Sequence, residues 1–162
     1  MTSIRSANQA DLEEVAHINV DNWRATYENI LPQSYLESLE YRAFQRKWER
    51  FIVQPSQELL VKDLENKVAG FIAFSESKDW SDNLYIDSLH ISQKFQRKGV
   101  GTQLLLQVLQ QAKEDKKTVT IAILKNNENA RKLYTKLGAV HLKDFSDKFG
   151  DVTTDSELLI WK

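Results

Sequence analysis

The stretch "FQRKGVGTQLLLQVL", residues 95–109, joins a basic, glycine-punctuated turn to an apolar helical pattern. A chain with five glycines places two of them, Gly99 and Gly101, where that helix begins. The first N–H groups of a helix have no intrahelical partner and carry positive potential, so they favour an anion. Glycine removes the Cβ that would hold a ligand away from them. Arg97 and Lys98 add charge, and Thr102 adds a hydroxyl. A phosphate-bearing ligand would use all of these features, while a tight turn with a solvated basic pair would explain the glycines as well. Two nucleotide motifs do not fit. The lysine spacing is wrong for a Walker A loop, and position 104 is leucine where a dinucleotide fingerprint needs its third glycine.

The elements that would position this turn can be read from periodicity. "NLYIDSLHI", 83–91, is rich in strand formers, residues 101–114 follow a helical pattern, and "TVTIAIL", 118–124, reads as the next strand. A helix crossing between two strands implies that they pair in parallel. Upstream, residues 2–6 suit a short strand. Asn8 suits a helix cap, and Leu12, Val15, Ala16, Asn19, Trp23 and Tyr27 form one stripe at spacings of three and four. Gln33 reopens a helix after Pro32, with a break near Glu40, and 57–75 reads as two strands around a turn at Glu65–Lys67. "NNENARKLYTKLG" is a short helix closed by Gly138, and strands are expected at 139–145 and 155–161. With no repeat or linker, the expectation is one α/β domain over residues 1–162. It has a mixed central sheet flanked by helices on both faces.

"QRKGVGT", Gln96 to Thr102, resembles the (Gln/Arg)-x-x-Gly-x-(Gly/Ala) signature of the GCN5-related N-acetyltransferase superfamily. "NNENARKLYTKLGA" resembles that family's downstream segment, one helix and one strand later. The resemblance implies the acyl-CoA N-acyltransferase fold, with a mostly antiparallel sheet, and acetyl-CoA as donor. It places Arg97, Gly99, Gly101 and Thr102 at the pyrophosphate, with Gln96, Lys98 and Arg131 in the same cofactor-binding set and Val100 against the ligand or packed inward. Leu89, His90 and Ile91 would line the pantetheine arm, along a strand that a bulge commonly splays. Asn129 would hydrogen-bond the arm, and Tyr134 would be the general acid at the departing sulfur. Asp87 is the base candidate for the attacking amine, directly or through a water. His90 would titrate near neutral pH if it were solvated, although a packing role suits it as well. Residues 22–36, "NWRATYENILPQSYL", resemble a microbial subset that includes enzymes close to polyamine acetyltransferases. Trp23, Tyr27 and Glu28, with Asp21 and Asp87, would suit a cationic amine.

Composition bounds the alternatives. The net charge of -1 and the lack of a wider basic stripe disfavour nucleic acid, and no stretch has the length of a membrane span. Without cysteine there is no thiolate nucleophile and no acetyl-cysteine route, so direct amine attack is expected. The histidines have no metal-ligand spacing, and no metal is expected. The absence of an apolar leader in "MTSIRSANQADLEEV" makes the cytoplasm the expected location. The expected function is acetyl transfer from acetyl-CoA to a primary amine of a small molecule, a polyamine being one option. A protein or peptide acetyltransferase and an acyl-CoA sensor without turnover are the alternatives, and the resemblance allows a homodimer.

Overall fold

In the computed structural model, which describes residues 4–149 and 151–162, strand β1 (Ile4–Ser6) leads into helices α1 (Leu12–Thr26), α2 (Gln33–Glu37) and α3 (Tyr41–Ile52). The hairpin β2 (Gln57–Leu64) and β3 (Lys67–Glu76) follows, then β4 (Asn83–Ile91), α4 (Val100–Glu114), β5 (Thr118–Leu124) and α5 (Glu128–Lys136). A last hairpin, β6 (Val140–Phe149) and β7 (Val152–Trp161), completes the chain. All seven strands join one sheet in the order β1-β2-β3-β4-β5-β7-β6. Every neighbouring pair is antiparallel except β4 and β5, whose parallel pairing follows from the α4 crossover. The mixed α/β fold expected from the sequence is the one observed.

Helices cover both faces. On one, Leu104, Leu105 and Val108 of α4 pack with Ile72, Ile86 and Ile121 of the sheet, joined by Tyr134 of α5. On the other, Leu12, Val15 and Ile18 of α1 and Trp48 and Phe51 of α3 cover Val61, Phe71 and Ala73. Asn19 belongs to the buried stripe of α1 because its Oδ1 accepts from Trp48 Nε1 at 3.0 Å. Asn8 caps a short 3-10 turn ahead of α1 and not the helix itself. Glu65 and Asn66 take left-handed backbone (φ 51° and 65°), the geometry of a two-residue hairpin turn. Gly70 is required for close approach, since a Cβ there would stand 2.6 Å from Ile91 Cδ1 and 3.1 Å from Val100 Cγ1.

Some boundaries differ from expectation. β4 and β5 match, but α4 begins at Val100, one residue early, because left-handed Gly99 (φ 80°) is the last residue before the helix. Of the expected first strand, residues 2 and 3 lie outside the described residues. The last hairpin extends to Phe149 opposite Val152, well past the expected end at 145. β6 is an edge strand exposed along nearly its whole length, so no alternation of apolar residues marks it in the sequence. Among the described residues no helix is long and apolar enough to cross a membrane.

Candidate active site

The cleft exists because two strands stop pairing. β4 and β5 are in register from Asn83–Thr118 to Ile86–Ile121 and no further. At that point the β3–β4 register shifts, with Ala73 opposite Ser88 and Phe74 opposite Ile86, which leaves Asp87 as the bulged residue. A bulge bends its strand and re-aims side chains. Beyond it, β4 residues 87–91 and β5 residues 122–124 form opposite walls of a cleft of about 1130 Å³.

One end of the cleft is the glycine turn. Arg97 (φ 64°) and Gly99 (φ 80°) both take left-handed backbone, and α4 starts with no side chain capping its first amides. A Cβ at Gly99 would meet nothing within 4 Å, so the position is open, although an L-residue there would be strained. Gly101 has ordinary helical backbone, and its missing side chain leaves room beside Ile91 Cγ1, 3.4 Å from where a Cβ would sit. Gln96, Arg97 and residues 99–102 all reach the cleft. Val100 is also packed inward, at 2% exposure. Lys98 is not among the lining residues; its ammonium lies over the Phe95 ring, 5.7 Å from the centroid.

The wall opposite β4 holds Tyr134, whose ring packs edge-on against Trp161 at 5.8 Å while its residue still lines the cleft. Burial pushes its phenol well above the ordinary tyrosine value, with Tyr27 adding to the shift. It therefore stays protonated through neutral pH. Asn127 caps α5 by accepting from Ala130 N at 3.2 Å, and it lines the cleft together with Tyr27. Asn129 is two residues further on, exposed at the rim. Both asparagines line the cleft, and Asn127, within a run of polar residues, was not singled out from the sequence. Its signal was its place at the cap, since asparagine is among the preferred capping residues.

At the bulge, Asp87 Oδ1 stands 3.4 Å from Lys47 Nζ and accepts from Ser88 Oγ at 3.1 Å. Around it gather Trp23, Tyr27 and Tyr85, together with Asp147 and Phe149 from the extended β6. Trp23 packs edge-on against both Tyr27 (4.9 Å) and Phe149 (5.2 Å). Burial raises the Tyr85 phenol, and both Asp87 and Asp147 push it the same way, which places two carboxylates near one phenol. Asp147 and Phe149 were invisible to the sequence reading because the strand was expected to end before them.

Besides Lys98, three expected site residues are elsewhere. Glu28 lies exposed in the turn after α1, which ends at Thr26, so the helical stripe does not carry it into the cleft. Asp21 accepts from Tyr41 Oη at 2.6 Å on the outer side of α1. Arg131 is held outside the cleft by Glu157 (3.1 Å), Glu128 (3.2 Å) and the Lys125 carbonyl (2.8 Å). His90 reaches the cleft with β4, but its ring packs against Phe71, centroids 5.6 Å apart. Burial, reinforced by Lys47, pushes the imidazole down from 6.5 to about 4, so it does not titrate near neutral pH. A folded-state value below the unfolded one stabilises the fold fully above pH 6.5, and that contribution is lost as pH falls toward 4. His90→Gln is accordingly expected to flatten the acid-side fall of the thermal midpoint across this window. Parallel curves for variant and wild type would refute the assignment.

The β6–β7 pairing also does what sequence spacing did not suggest: it brings His141, Asp144 and Glu157 together, their ligand atoms within 4.8 Å of one another. Lys125 already pairs with Asp144 and Arg131 with Glu157, so two cations answer the two carboxylates there.

With this geometry in view, the chain can be set against known proteins. The model of the acetyltransferase (GNAT) family matches residues 14–139. An uncharacterized N-acetyltransferase of Bacillus subtilis, YuaI, is 33% identical over 109 residues; these are 65% of this chain and 61% of that protein, so the match spans under two thirds of the relative's length. Among solved structures, the PaiA N-acetyltransferase of Thermoplasma acidophilum, in complex with coenzyme A, superposes with a TM-score of 0.82 at 20% identity. The match covers 100% of this chain and 99% of that one. The ribosomal-protein-alanine N-acetyltransferase of Brucella melitensis superposes with a TM-score of 0.77 at 19% identity, over 98% of each chain. These structural likenesses concern the fold.

Proposed function

The chain belongs to the acetyltransferase (GNAT) family, and on that premise we propose that it is an acetyl-CoA-dependent N-acetyltransferase acting on a cationic small-molecule amine. In this reading residues 1–162 act as one catalytic domain, and the amine attacks directly with both reactants bound. When bound, acetyl-CoA supplies a thioester carbonyl and a thiol leaving group. The cleft suits it: uncapped amides at the start of α4 meet the open face of Gly99, and the β5-facing edge of β4 beyond Ile86 has no strand partner among the described residues. Residues 99–102 hold the phosphates, chiefly through backbone N–H groups. Leu89 and Ile91 flank the arm, and Asn127 lines the cleft beside α5.

Asp87 accepts a proton from the incoming ammonium, directly or through a water, and Tyr134 donates one to the sulfur. Both steps are aided chiefly by holding the two reactants in place. The observation that supports the small-molecule amine reading is that Asp87 and Asp147 line the same cleft as the aromatic side chains of Trp23, Tyr27, Tyr85 and Phe149. Carboxylates and ring faces both attract ammonium groups. A panel of mono- and dicationic amines, neutral amines and short peptides, assayed with acetyl-CoA by thiol release, tests it. Cationic small amines are expected to lead, and turnover confined to peptides would overturn the reading. Asp147→Asn is expected to raise KM about fivefold for a diamine. The KM for acetyl-CoA should stay where it was, and an equal rise for a neutral amine would count against the charge role.

A further inference from the structure

Asn22 sits in α1 just before Trp23 and is 6% exposed. Its Nδ2 donates to the Ile91 carbonyl at 2.7 Å. That bond fixes which way the amide faces, because the reversed amide would set oxygen against oxygen. Its Oδ1 is buried and, among the described residues, has no hydrogen-bond partner. Native proteins leave few buried polar atoms in that condition, since each costs the desolvation of a lost hydrogen bond. Asn22 belongs to the cleft wall, as do Gln93 and Gln96. The amides of those glutamines are directed elsewhere, at the limit of hydrogen-bond length: Gln93 to the Asp21 carbonyl at 3.5 Å, Gln96 to that of Ile91 at 3.4 Å. The wall of the cleft therefore holds a buried acceptor for which none of the described residues supplies a donor.

Its position along the cleft narrows what the donor is. Asn22 is tied to Ile91, the residue against which Gly101 leaves its gap, so the free oxygen lies beside the phosphate turn. The bulge at Asp87 is about 13 Å away along β4, at the usual rise per strand residue, which is too far for the amine being acetylated. Phosphates offer no donor at neutral pH. Passing from the diphosphate toward the sulfur, the pantetheine arm offers first a hydroxyl and then an amide N–H.

We infer that Asn22 Oδ1 accepts the hydrogen bond of this hydroxyl–amide unit, which makes Asn22 a positioning residue for the donor. With one end of the arm held by Asn22 and the phosphates by residues 99–102, the reach of the thioester toward Tyr134 is set. The inference rests on the acetyl-CoA reading above. Its test is calorimetric binding of coenzyme A and of adenosine 3′,5′-bisphosphate, which keeps the 3′-phosphate and one of the two 5′ phosphates but lacks the arm, to wild type and Asn22→Ala. The variant is expected to bind coenzyme A about tenfold more weakly and the bisphosphate as before. In the wild-type protein, the Asn22 side-chain amide resonances should shift on adding coenzyme A and not on adding the bisphosphate, a readout that needs no variant to fold. Equal weakening of both ligands would make Asn22 a strut for the turn, and unchanged coenzyme A binding would leave its oxygen to water; either overturns the inference while the acetyl-CoA reading stands. Wild type that binds neither ligand overturns both.

Discussion

Tyr134→Phe is expected to lower kcat by about 10²-fold or more, the usual scale for removing a positioned general acid. The KM for acetyl-CoA should change little, because the ring and its edge-on contact with Trp161 at 5.8 Å remain. The loss is expected to be nearly constant across neutral pH, since burial and Tyr27 hold the phenol in its protonated form there. Steady-state thiol release with a saturating amine measures it. An acceptor whose product forms at an unchanged rate would mean that the sulfur leaves without help from this residue. A coenzyme with a better leaving group should narrow the gap between variant and wild type, as the acid is then needed less.

The largest effect on stability is expected at Trp48. It is fully buried between α1, α3 and the sheet, in edge-on contact with Phe51 (5.1 Å) and Phe71 (5.4 Å). Trp48→Ala opens a cavity and leaves Asn19 Oδ1 without its donor, for a loss of about 4–5 kcal/mol. Against a typical stability of ~5–15 kcal/mol that is a large share. Trp48→Phe refills most of the volume but still orphans Asn19, so a smaller loss of ~1–3 kcal/mol is expected. Denaturant midpoints of the two variants separate the packing and polar contributions. If Trp48→Phe matched wild type, the Asn19 bond would have no net worth. Function would follow indirectly, because α1 carries Asn22 and Trp23 to the cleft, with Tyr27 directly after its last residue.

Trp48 also explains what sequence could and could not tell. Asn19 falls on the apolar stripe of α1, and periodicity placed it correctly, but its partner is 29 residues away and no local signal names it. Strands β4 and β5 were legible because both are continuous runs of strand formers closed by polar turns. Gly99 and Gly101 were legible as a turn open to a ligand; that only Gly99 needs left-handed backbone was not, since composition is the same at both. In "KNNEN" three asparagines compete, and only backbone geometry shows that Asn127 is the cap while Asn129 lies at the rim of the cleft. Glu28 was drawn into the site by extending helical spacing past Thr26, where the helix ends. Asp147 and Phe149 escaped because an exposed edge strand needs no apolar alternation, and its pairing with β7 alone decides how far it runs.

The short seam between β4 and β5 has a consequence for the molecule as a whole. Strands β1–β4 and β5–β7 are two half-sheets stitched together only along Asn83–Ile86, at one end. The short seam between the two halves therefore runs into the proposed reaction site. A donor lying in the open end acts as a splice between the halves, and any ligand that binds the folded state alone raises the unfolding temperature. Heat stability thus becomes a readout of donor occupancy that needs no acceptor, and thioesters can be ranked on this protein before its amine is in hand.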